Sequence, residues 1–276
     1  MVRRSNGKLV EIENLKSLTV VGDLHGDFAS FQKIMGNWKD EKDSYIVFLG
    51  DYADRGSNGL EIIERLEKLK GNENVVLLKG NHEDYSEDGN PSFRPCTLIN
   101  EVQSKRGYRY RDSSFFDTFP SWKPYFSKHL NPFFKSLYLA SVAEKSILLL
   151  HGGISSKITS LDYLARPTRE IEEDVLWSDP DRFGSGEHPN ERGVGVEFGK
   201  DVTKRILRGL DVSLIIRSHQ PNLARKGPNF THDGRVITIS STDIYGGRPH
   251  YIEIPGSKIA EIAASPREIK KYARIL

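Results

Sequence analysis

Gly50-Asp51-Tyr52-Ala53-Asp54-Arg55-Gly56 follows directly on the apolar run Tyr45-Ile46-Val47-Phe48-Leu49. An unbroken apolar run reads as a buried strand. Two carboxylates and a guanidinium between glycines, set immediately after it, put charge where a sheet ends and a crevice begins. The same plan stands on either side. Ser17-Leu18-Thr19-Val20-Val21 runs into Gly22-Asp23-Leu24-His25-Gly26-Asp27, and the strand at Asn74 to Leu78 delivers Lys79-Gly80-Asn81-His82-Glu83. Helical spacing fills both connections. Phe31, Ile34 and Met35 share one face of a helix over 28–38 with Asp27 as its N-cap; Leu60, Ile63, Leu66 and Leu69 share one face of a helix over about 58–70 that Gly71 closes. Crossovers this short imply parallel neighbouring strands.

Composition narrows the classes. In 276 residues, 37% hydrophobic content supplies a sizeable core, and we expect one domain over 1–276 with a variable helical and loop segment at about 84–136. Lys plus Arg at 40 against Asp plus Glu at 38 gives a net charge of +2, so nothing in the bulk charge calls for nucleic acid or a membrane. A single cysteine, Cys96, excludes an internal disulfide and a thiolate zinc cluster and suits a reducing compartment. Val102, not Arg, stands six residues on, so a cysteine nucleophile with a phosphate loop is unsupported. Without a signal-like or membrane-length apolar run, the chain reads as cytoplasmic.

Farther along, residues 84–136 break the βα rhythm and are aromatic-rich: Phe93, Tyr108, Tyr110, Phe115, Phe116, Phe119, Trp122, Tyr125, Phe126, Phe133 and Phe134. They read as local core over one rim of the crevice rather than as a base-stacking platform, because basic residues do not interleave them along a strand. A hairpin follows, Leu137 to Ala143 and Ser146 to Leu150, ending in His151-Gly152-Gly153. Residues 161–184 read as loop around Val175-Leu176-Trp177-Ser178-Asp179-Pro180, and a glycine-rich stretch to Gly195 carries Arg192. A helix from Gly199 to Arg208 precedes a strand, Val212 to Ile216, that ends in Arg217-Ser218-His219. Strands at Val236–Ser240 and Pro249–Ile254 flank Thr242-Asp243-Ile244-Tyr245, and Pro266 to Leu276 reads as a short basic helix.

The strand-end residues Asp23, His25, Asp51, Asn81, His151 and His219 are carboxylate, imidazole and amide donors without sulfur, a set suited to Mn²⁺, Fe²⁺ or Zn²⁺. Taken singly, each is more often a cap or turn residue. All five turns, however, carry the same chemistry at the same end of a strand. Six ligands are too many for one open catalytic zinc and suit two metals sharing a carboxylate, for which Asp51 is our choice. Such a pair activates a water and clamps an in-line displacement at phosphorus; it still needs a proton for the leaving oxygen and positive charge for the others. His82 is a candidate general acid and Asp54 the carboxylate that orients it. Arg55 and Arg192 offer forks for phosphate oxygens. A salt bridge to Glu83 or Asp27 is the plainer reading of Arg55, and a solvated loop arginine that of Arg192.

The blocks Gly22-Asp23-Leu24-His25-Gly26, Gly50-Asp51-Tyr52-Ala53-Asp54-Arg55-Gly56 and Gly80-Asn81-His82-Glu83 resemble, in order and spacing, the GDxHG, GDxxDRG and GNHE signatures of the PPP family of metal-dependent serine/threonine phosphoprotein phosphatases. His151-Gly152-Gly153, Leu176-Trp177-Ser178-Asp179-Pro180, Arg192-Gly193 and Arg217-Ser218-His219-Gln220 resemble its later blocks, so the likeness covers nearly all of 17–254. It implies an α/β fold with a central two-sheet β-sandwich flanked by helices. It implies Asp23, His25 and Asp51 on one metal; Asp51, Asn81, His151 and His219 on the other; His82 with Asp54 as the acid dyad. Arg55 and Arg192 would take the phosphate, with Asn81 beside it and Tyr245 lining the site. Two divalent ions, manganese first and iron or zinc as alternatives, would supply a bridging hydroxide that attacks phosphoserine or phosphothreonine directly.

Phosphorylated proteins are then the expected partners, with no regulatory subunit inferable, because the segment between His82 and His151 is longer than in the family's eukaryotic catalytic subunits and matches them poorly; separately, Lys79 stands where their arginine usually precedes GNHE. The whole looks nearest to the stand-alone prokaryotic or archaeal members. A dinucleoside polyphosphate hydrolase or a broad phosphomonoesterase is the alternative enzyme. A non-catalytic phosphate-binding module would show damaged ligand positions, and none is damaged.

Overall fold

Side-chain parity along the apolar runs builds the layers. Tyr45, Val47 and Leu49 point one way, into a core shared with Leu18, Val20, Ile147, Leu149, Leu214 and Ile216. Ile46 and Phe48 point the other way, among Val21, Phe31, Ile34, Leu60, Ile63 and Leu66. Leu148, Leu150 and Ile215 likewise turn outward to Ile171, Val175, Val202 and Ile206. A strand covered on both faces cannot alternate apolar with polar, which is why these runs are continuous. In the computed structural model, which describes residues 2–105 and 122–276, the result is two sheets face to face with helices on both outer faces. The expected sandwich stands.

One sheet has five strands in the order β15-β14-β3-β4-β5: Ala273–Ile275 (β15), His250–Pro255 (β14), Ser17–Val21 (β3), Ser44–Phe48 (β4) and Val75–Leu77 (β5). As expected, β3, β4 and β5 run parallel, through helices Phe28–Asn37 and Gly59–Leu69. Asp27 caps the first of these, accepting from Ser30 N at 3.0 Å. Gly71 does not close the second with a left-handed turn; the chain leaves through Lys70 in helical conformation.

The other sheet has seven strands, β1-β2-β6-β7-β11-β13-β12: Val2–Asn6, Leu9–Glu13, Ala140–Ala143, Ile147–Leu150, Leu214–Arg217, Val236–Thr238 and Asn229–Thr231. The expected hairpin β6–β7 turns at Glu144 and Lys145, both with positive φ. Parallel bridges Asp23↔Ser240 and Leu78↔Tyr138 join the two sheets just past the carboxyl ends of β3 and β5. The crevice therefore opens where the sheets converge.

Several expectations need correction. Residues 161–184 are not loop: helices Leu161–Ala165 and Arg169–Trp177 lie there, the second capped by Thr168 and burying Ile171, Val175 and Leu176. Its run of acidic residues hides the periodicity. Pro266–Tyr272 is a 3₁₀ turn rather than a basic helix, with Ile269 in the sandwich core, and the last residues form β15. Residues 2–13, where no strand is expected from the sequence reading, form the edge hairpin β1–β2. The glycine-rich stretch holds part of a three-stranded sheet, Asp179–Pro180 (β8), Glu187–Pro189 (β9) and Val196–Phe198 (β10).

Of the aromatics in 84–136, Phe93, Phe126, Phe133 and Phe134 are buried, as local core requires. Tyr108, Tyr110, Phe115, Phe116 and Phe119 lie outside the described residues. No helix among the described residues is long and apolar enough to cross a membrane.

Candidate active site

Five strand ends deliver the side chains, and the backbone is strained as it does so. His25, Asp51, Asp54, Arg55 and His219 all have φ between 45° and 70°, a region that costs a side chain and persists only where the surroundings over-determine it. The turns after β4 and β5 touch directly. A Cβ on Gly80 would lie 2.4 Å from Asp51 N, so only glycine lets the two turns close. Glu83 locks them. Its carboxylate accepts from Asp51 N, Tyr52 N and Gly80 N, each at 2.9 Å. Burial nonetheless lifts Glu83 to about 7 against those three donors. Glu83→Ala leaves three buried N–H groups without an acceptor, so a loss of at least about 3 kcal/mol in urea-denaturation stability is expected.

Asp51 faces both ways. Its Oδ2 lies 3.5 Å from His25 Nε2 and its Oδ1 3.4 Å from His151 Nε2. His25 points Nδ1 at Ala53 O (3.1 Å) and His151 points Nδ1 at Leu49 O (3.0 Å). A carbonyl accepts only, so both rings donate through Nδ1 and turn a lone pair at Nε2 toward Asp51. His151 Nε2 and His219 Nδ1 lie 2.9 and 2.8 Å from Asn81 Oδ1, and 3.1 Å from each other. Asn81 Oδ1 and His151 Nε2 both accept, so their lone pairs repel unless a cation or the Nδ1–H of His219 faces them. Burial lowers His25 to about 4 and holds His151 and His219 well below the ordinary imidazole value, keeping them neutral. Burial, then the nearby Asp23, pushes Asp51 well up, a cost that a divalent ion removes.

Two trios of donors lie within 4.8 Å of one another: His25, Asp51 and His82, and Asp51, His151 and His219. Asp51 is common to both. Asp23 is outside the first trio: its Oδ1 accepts from Ser218 Oγ and from His219 N (3.1 Å), while its Oδ2 is buried without a partner. An orphaned carboxylate oxygen beside neutral imidazoles is the environment a hard or borderline cation fits.

His82 meets Asp54 as expected, Nδ1 to Oδ2 at 2.8 Å. The other oxygen of Asp54 accepts from Thr97 N (2.5 Å) and Leu98 N (2.8 Å). Burial alone would lift this carboxyl; the His82 bond and the two N–H donors outweigh it and hold Asp54 below its ordinary value. The Phe93 ring packs on His82, centroids 4.2 Å apart. Arg55 forms no salt bridge to Glu83 or Asp27; its Nε donates to Tyr245 OH at 3.2 Å, and Tyr245 packs edge-on against His25. Arg192 is not simply solvated. Asp179 Oδ2 accepts from its Nε (2.9 Å) while Asp179 Oδ1 takes the fully buried Arg217; burial chiefly lowers His82 and His219, and the charge of Arg192 adds to it.

Every residue expected at the site is thus brought to one crevice. Glu83, Phe93, Thr97, Asp179 and Ser218 were missed as its supports, although Glu83, Asp179 and Ser218 sit inside the quoted blocks and two of these are charged residues within a buried context. Lys79 pairs with Asp84 (2.7 Å) and Glu172 (2.9 Å).

The calcineurin-like phosphoesterase family profile matches residues 16–223. Serine/threonine-protein phosphatase PP1-delta of Caenorhabditis elegans is 32% identical over 260 residues, 88% of this chain and 75% of its own length. A second serine/threonine-protein phosphatase of that worm is also 32% identical, with the chain spanning half of its length. Among solved structures, a protein serine/threonine phosphatase of Saccharomyces cerevisiae with similarity to human phosphatase PP5 superposes with a TM-score of 0.69 at 26% identity, covering 92% of this chain and 78% of that one.

Proposed function

The chain belongs to the calcineurin-like phosphoesterase family, within its PPP branch, and on that premise we propose that it hydrolyses phosphoserine and phosphothreonine in proteins. The observation that carries the reading is the convergence of two donor trios on Asp51 beside the His82–Asp54 pair. We assign Asp23, His25 and Asp51 to one divalent ion and Asp51, Asn81, His151 and His219 to the other, with manganese the expected metal. Bound there, the ions supply Lewis-acid charge and an activated water.

The remaining chemistry falls to side chains. Arg55, held at Nε by Tyr245 with one terminal nitrogen 3.5 Å from Pro95 O, and Arg192, held at Nε by Asp179, offer their remaining terminal nitrogens to phosphate oxygens. Asn81, whose Oδ1 faces His151 and His219, would offer its amide N–H to the phosphate. With Nδ1 committed to Asp54, His82 keeps Nε2 for the leaving oxygen and donates its proton as the P–O bond breaks. Metal-stripped protein is expected to be inert on a phosphoserine peptide and to recover with Mn²⁺ above Mg²⁺. Full activity after stripping would overturn the assignment. In the same assay diadenosine tetraphosphate is expected to be the poorer substrate, and the reverse order would favour the alternative enzyme.

A further inference from the structure

The carboxylate of Glu101 is buried, yet it belongs to none of the blocks and touches no metal donor. It sits one turn into helix Leu98–Lys105 and accepts from Gly59 N and Leu60 N, both at 3.0 Å. Those are the first N–H groups of helix Gly59–Leu69, whose own N-cap, Asn58, gives no side-chain capping bond. At its other end the same short element directs Thr97 N and Leu98 N onto Asp54. Segment 97–101 therefore grips the turn 54–60 at both ends. Inside that grip, Asp54 and Arg55 stand consecutively at φ 69° and 70°. Two left-handed side-chain residues in a row relax unless something outside the turn holds them.

From this geometry we infer that Glu101 is a positioning residue for the general acid: it anchors the strained turn so that Asp54 meets His82 at the right place. The inference rests on the proposed role of His82. Arg55 is tied through Tyr245 at 3.2 Å and only at the longer 3.5 Å to Pro95 O next to the segment, so loosening the turn is felt first by the Asp54–His82 pair. In Glu101→Gln an NH₂ group is set against a backbone N–H donor in a buried place, and one donor loses its partner.

The test separates positioning from stability by leaving group. An alkoxide from phosphoserine needs the proton, whereas p-nitrophenolate leaves without one. For the full chain loaded with Mn²⁺, Glu101→Gln is expected to lower kcat on a phosphoserine peptide roughly tenfold or more, with p-nitrophenyl phosphate turnover within about threefold and metal content unchanged. Glu101→Asp, which keeps the charge but draws it back by one methylene, should show the same asymmetry at smaller size, and it carries the test if the glutamine variant does not fold. Equal losses on both substrates, or no loss on either, overturn the inference. His82→Asn run alongside identifies which idea failed: if it shows the asymmetry and the Glu101 variants do not, only the role of Glu101 is wrong; if it shows none, the acid assignment itself falls.

Discussion

His82→Asn is expected to lower turnover of a phosphoserine peptide by roughly 10²–10⁴, the range a positioned general acid contributes, while two metals per chain are retained. The reason is geometric. His82 N donates to Asp51 Oδ1 at 2.9 Å, a backbone contact that survives the substitution and keeps Asp51 in place. Only the ring is lost, and with it the proton for the leaving oxygen. Metal analysis alongside steady-state kinetics checks both halves. Turnover within threefold of the parent, at equal metal content, would remove His82 from the mechanism.

The second large effect divides two aspartates three residues apart. Asp51→Asn withdraws charge from both donor trios at once, since one oxygen faces His25 and the other His151. The loss of metal affinity should exceed the roughly 10–100-fold that removing a mere outer-shell partner costs, and activity should go with it. Asp54 bonds to none of the six residues assigned to the metals; it holds His82 and is held by Thr97 and Leu98. Asp54→Asn should therefore keep both metals and lose rate by roughly 10² or more, because an amide does not fix the imidazole tautomer as a carboxylate does. Matching metal contents and matching residual rates in the two variants would undo this division.

How much of this was legible beforehand follows from where each residue gets its job. The donors stand at strand ends, and strand ends announce themselves: an apolar run stops and glycine with a charged residue follows. Hence Asp23, Asp51, Asn81, His151 and His219 are legible in the sequence alone. Arg192 is legible too, but its plainer reading as a solvated arginine is not met, because its restraint by Asp179 joins residues 13 positions apart that only the folding of the β8–β10 segment brings together. Helix Arg169–Trp177 was misread as loop because a surface helix with one narrow apolar stripe leaves few periodic positions to recognise.

What the sequence determined by itself is the chemistry and its spacing: which ligand types, at which turns, in what order, and that both faces of the inner strands are covered. That information is local, written in runs of five to seven residues. What only the tertiary structure decided is orientation. Asp51 divides its two oxygens between opposite sides, Glu83 ties two turns through three N–H groups, and Glu101 spans 41 residues to clamp the turn that carries the acid dyad. The bonds that Glu83 and Glu101 accept come from backbone N–H groups, which every residue but proline possesses. No residue identity marks the donor, so only the folded chain shows which one the carboxylate meets.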